Sequence, residues 1–90
     1  LKATSEIQSL SFKKYHKNVI NLSLLSLEED DLDSREFNGV TLPIKKSDLP
    51  AIKEKMRQFR SEINELASSS TDPDEVYQLN INFFPLTKEL

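Results

Sequence analysis

No cysteine occurs in this chain. That excludes a disulfide scaffold, a thiolate metal site and a cysteine nucleophile. A single glycine, Gly39, leaves no glycine-rich loop to cradle a phosphate. His16 is the only histidine, so it has no second imidazole to share a metal and no nearby nucleophile to activate. No apolar run approaches the ~20 residues of a membrane span. With no nucleophile–base pair and no metal set, the expectation is a non-enzymatic protein without cofactors and without membrane insertion. The chain starts at Leu1 without methionine and shows no signal peptide, which suggests a fragment of a cytoplasmic protein.

What is present is modest in size. The 90 residues, 37% hydrophobic and 30% charged, suit one small globular domain over 1–90. A chain this short buries about 60–65% of its unfolded surface, so its core is marginal. Self-association, or docking on a neighbouring domain, is the natural source of the missing stability. The net charge of −3 is segregated along the chain. Lys2, Lys13, Lys14 and Lys17 make the first stretch basic, and Glu28, Glu29, Asp30, Asp31, Asp33 and Glu36 make the next acidic. Lys45, Lys46, Lys53, Lys55, Arg57 and Arg60 restore the positive sign, and residues 61–90 are acidic again. Alternating blocks argue against a nucleic-acid footprint, which gathers one sign on one face. They fit complementary surfaces within the fold or between two copies.

Hydrophobic spacing suggests four elements. Residues 1–10 form a connecting segment or the start of a helix. Over 11–28, Phe12, Tyr15, Val19 and Leu22 recur at helical spacing, with Ile20, Leu24 and Leu27 as a second adjacent stripe. The acidic run beyond opposes the helix dipole and predicts fraying. Residues 35–46 suggest a strand, with Val40, Leu42 and Ile44 on one face and an open edge at Pro43. Ser47 is a suitable N-cap, Pro50 sits near a helix start, and a helix is expected over 48–67. Its stripe, Leu49, Ile52, Met56, Phe59, Ile63 and Leu66, serves either to pack on a sheet or as a helix–helix seam. After the polar loop Ser68–Asp74, residues 75–86 alternate Tyr77, Leu79, Ile81 and Phe83 with the amides Gln78, Asn80 and Asn82, the pattern of a half-buried strand. Helix and strand lengths match, so the two strands should run parallel with a right-handed crossover. The fold class expected is α+β: a small α-β-α-β domain, two helices on one face of a two-stranded sheet.

Several stretches carry a resemblance: Tyr15-His16, Arg35-Glu36-Phe37, Val40-Thr41-Leu42-Pro43-Ile44, Ile52-Lys53 with Phe59-Arg60, and above all Val76-Tyr77-Gln78-Leu79-Asn80 with Phe83-Phe84-Pro85-Leu86-Thr87-Lys88. Through them the chain resembles, from about Ser5 onward, the C-terminal domain of a family of bacterial transcriptional regulators in which a helix-turn-helix domain comes first. The resemblance implies that any contact with nucleic acid is made by that upstream domain. It leaves sensing, dimerisation or partner binding to this one.

Candidate sites follow, each beside a plainer reading. Gln78, Asn80, Asn82 and Phe84 share the outer face of the last segment. They are either a solvated surface or a partner contact anchored by the aromatic ring. Lys53, Arg57 and Arg60 lie at i, i+4 and i+7, so they form either a basic contact face or a solvated one paired with glutamates. The Glu28–Glu36 run lacks the positions and central glycine of a calcium loop and suits a solvated acidic loop. His16 suits the edge of an apolar helix face, or a polar contact. Asn21-Leu22-Ser23 matches a glycosylation sequon but falls in an expected helix. The function expected is a regulatory and self-association domain, as a homodimer or docked on the upstream domain, with no effector named. The alternative is an interaction module unrelated to transcription that binds a different protein through the same outer face.

Overall fold

The structure, a computed structural model, describes residues 2–87; Lys88 of the last motif lies outside the described residues. The chain divides into two compact units, Leu1–Gly39 and Val40–Leu90.

The first unit is built on helix α1, Lys2–Glu29. Its 28 residues contain no proline and no glycine, so nothing in the sequence interrupts the ladder. The helix therefore starts well before residue 11, and the stretch from Lys2 is its beginning rather than a connection, the second of the two readings offered for it. Its least exposed line runs through His16, Val19, Ser23 and Ser26, at spacings of three and four along one side. Ser23 turns its hydroxyl back onto the Val19 carbonyl oxygen at 2.9 Å, a local bond within the helix. The helix keeps its order up to Glu29 despite the carboxylates there. Asp30 N–H donates to the Ser26 carbonyl oxygen at 2.9 Å, and a 3₁₀ turn, Leu32–Ser34, follows.

The second unit is built on helix α2, Leu49–Ser68. A 3₁₀ turn, Lys46–Asp48, leads into it, so Asp48 rather than Ser47 occupies the N-cap position. Pro50 falls in the first turn, where its missing N–H costs nothing. The far end is closed by hydroxyls. Ser68 Oγ donates to the Asn64 carbonyl oxygen and Ser69 Oγ to that of Leu66, both at 2.7 Å. The Ser69 bond meets a carbonyl that the last turn leaves without a helical donor.

The expected two-stranded sheet is overturned. No strand occurs among the described residues: 35–45 and 73–85 are irregular, and the fold is all-helical. The α+β class and the strands over 35–46 and 75–86 are corrected accordingly. The physical reason lies in what a ladder needs. Two strands alone are marginal in water, and parallel pairing is the weaker kind. Pro43 lacks a donor in one candidate strand and Pro85 closes the other. In the last segment Gln78 Nε2 donates to Asn80 Oδ1 at 3.0 Å, so these amides bond locally.

The apolar faces expected to meet in a core are corrected with the sheet. Of Tyr15, Val19, Leu22, Val40, Leu42, Ile44, Ile52, Met56, Phe59, Ile63, Leu79, Ile81 and Phe83, only Val19 is buried, at 6% exposure. Ile52 and Met56 are half-buried, with Leu49 beside them on the α2 stripe; the other ten are exposed. A single helix with irregular flanks has no second layer to cover its apolar stripe, so each unit taken by itself leaves most large side chains accessible.

Candidate interaction surface

The amide group of the last segment is partly assembled. The Gln78–Asn80 bond places those two side chains on the same side of the segment, two residues apart. Gln78 Nε2 also lies 3.5 Å from the Leu79 carbonyl oxygen, at the long limit of a hydrogen bond. Asn80 is half-buried, whereas Gln78 and Asn82 are exposed. Phe84 retains 67% of its surface, a large ring accessible just beyond the amides. Val76, at the start of the segment, is fully exposed.

The basic trio is less of a unit than its spacing suggests. Arg57 Nη1 lies 3.0 Å from Glu54 Oε2, an exposed i, i+3 ion pair on α2. Arg60 instead lines a shallow depression of about 340 Å³ with Ser61 and Asn64. Lys53 is exposed on the same helix. The arrangement is a helix surface with one cation already engaged by a carboxylate.

In the first unit, sequence reading passed over Arg35 as a site residue. Its guanidinium Nη1 donates to the carbonyl oxygen of Ser26 at 3.2 Å and also to that of Asp30. The same group lies 5.9 Å from the centroid of the Phe37 ring. A cation set against carbonyls at a helix C-terminus opposes the negative end of the dipole, and here it also meets the acidic run. The available signal was its position, one cation inside the acidic stretch and a few residues past a helix end.

His16 is half-buried within an aromatic cluster of its own helix. Its ring centroid lies 4.5 Å from that of Phe12, tilted, and 5.1 Å from that of Tyr15, edge to face. Those contacts are the offset geometries aromatic rings prefer, so they give the imidazole a packing role. Among the described residues, no group of three or more His, Asp or Glu side chains is placed to hold a metal ion. Among the described residues, no helix is long and apolar enough to cross a membrane.

Over residues 1–86 the chain matches the family model described as a domain of unknown function, DUF4423, and it belongs to that family. No curated protein and no solved structure matches it.

Proposed function

We propose that the chain is a non-enzymatic regulatory and self-association domain of a bacterial transcriptional regulator, working in the cytoplasm, with DNA read by a separate domain. The reading rests first on the sequence resemblance carried by Val76–Leu86 and the segments before it. The single observation that supports association is the accessibility of the large apolar side chains. Phe59 and Leu66 on α2 and Phe84 beyond the amides stand open to solvent at 50%, 71% and 67%. Large apolar side chains left this open are the kind of surface a partner covers. Gln78, Asn80 and Asn82 would give such a contact its polar rim, and Phe84 its anchor. Two associated copies would hold two upstream reading domains at a fixed separation, as half-sites require.

The test is the molar mass of the chain by light scattering across a concentration series. A reversible rise from monomer to dimer is expected. A folded monomer at every concentration would overturn self-association and transfer these surfaces to a different protein.

A further inference from the structure

Helix α1 carries an apolar stripe that the rest of its unit leaves exposed. Ile20, Leu24 and Leu27 recur at spacings of four and three, and each keeps about half its surface, 49%, 56% and 47%. They run alongside the His16–Val19–Ser23–Ser26 line, the line on which Arg35 reaches Ser26. Extended toward the N-terminus, the same stripe passes through Lys17 and Lys13. Beyond Leu27 it meets Glu28 at its flank and Asp31 past the helix end. All four charged residues are exposed.

We infer that a second copy of this chain docks antiparallel on this stripe, Lys13 and Lys17 of each copy facing Asp31 and Glu28 of the other. This rests on the self-association reading above and adds to its Phe84 surface a contact along α1, with a direction. The direction follows from charge. A parallel pair would set lysines against lysines and carboxylates against carboxylates. An antiparallel pair centred on Leu22 places Lys17 and Leu27 at equal distances from the centre, about 7.5 Å at ~1.5 Å per residue. Lys13 and Asp31 are each nine residues from it, Asp31 lying just past the helix end. Ile20 and Leu24 straddle the same centre, so the Ile20 of one copy packs on the Leu24 of the other. The seam reads in the three-four alternation that two facing helices need, with Lys17 laying its stem on the partner stripe and its ammonium beside Glu28.

Charge reversal tests the seam. Lys13→Glu/Lys17→Glu makes both ends of a homodimer repulsive, and so does Glu28→Lys/Asp31→Lys. Mixing the two variants in equal amounts restores opposite signs at both ends. By sedimentation equilibrium, each variant alone should associate at least about tenfold more weakly than the unaltered chain, and the mixture should recover a heterodimer of near-original strength. Circular dichroism should show unchanged helix content. If a reversal lowered it, Lys13→Gln/Lys17→Gln should still weaken association. Variants that associate like the unaltered chain, or a mixture that fails to recover, would overturn the seam while self-association stands. An unaltered chain that stays monomeric throughout would instead remove the self-association reading, and this seam with it.

Discussion

The Arg35 guanidinium donates to the Ser26 carbonyl oxygen across 3.2 Å, nine residues back along the chain. A second bond from the same Nη1 to the Asp30 carbonyl oxygen closes a clasp over the end of α1. Six carboxylates lie between Glu28 and Glu36, where the helix dipole disfavours negative charge. Arg35 supplies the opposite sign there, on the Asp30 carbonyl beyond the helix and on the Ser26 carbonyl that the Asp30 N–H already meets.

Removing that clasp should therefore loosen the end of α1. Arg35→Ala is expected to cost about 1–2 kcal/mol, the range of a charged hydrogen bond together with a dipole contact at a partly exposed site. Arg35→Lys keeps the charge but loses the planar fork, so it should recover only part of the loss. Urea unfolding followed by circular dichroism measures both. An Arg35→Ala chain as stable as the original would show that the clasp contributes nothing.

The Glu54–Arg57 pair makes the contrasting prediction. Both side chains are well over half exposed, 58% and 61%, and the spacing is i, i+3 on one helix. Solvent and salt screen such a pair, and its coupling should not exceed about 0.5 kcal/mol. A double-mutant cycle of Glu54→Ala and Arg57→Ala in thermal unfolding tests this. A coupling above about 1 kcal/mol would mean that the basic helix surface is held more tightly than its exposure implies.

Phe84 should separate association from stability. Its ring is largely exposed, so Phe84→Ala removes little folded-state packing and should shift the unfolding midpoint by less than about 0.5 kcal/mol in free-energy terms. As an interface anchor it should still weaken self-association by roughly tenfold or more. Association and stability both unchanged would reduce Gln78, Asn80, Asn82 and Phe84 to a solvated surface.

Much of the helical content was legible in the sequence. The Leu49–Leu66 stripe with Pro50 at its start predicts a helix over 48–67, against Leu49–Ser68 in the structure. The start of α1 was harder to place because Ile7 and Leu10 alone give residues 2–10 no clear stripe, so that stretch suited a connection as well as a helix start. The sheet misled for a different reason. Alternation at Tyr77, Leu79, Ile81 and Phe83 describes which side chains share a side, not whether another backbone lies beside them. Local bonding of Gln78 to Asn80 was compatible with the same letters. At the candidate surface, the reach of Arg35 to Ser26 depends on where the chain turns after Glu29, and spacing does not fix a turn.

Amide exchange tests the corrected fold directly. Residues 73–85 form neither helix nor strand, whereas 49–68 lie in a continuous helical ladder. Exchange protection follows hydrogen-bonded, cooperatively closed structure, so irregular backbone opens at little cost. At concentrations where the chain is monomeric, amides across Val76–Phe83 should exchange at least about 100-fold faster than those across Met56–Ile63. Alternating protection along Val76–Phe83 comparable to that of α2 would reveal a paired ladder and overturn the all-helical description. Protection that appears only as the concentration is raised would instead locate this segment in the contact between copies.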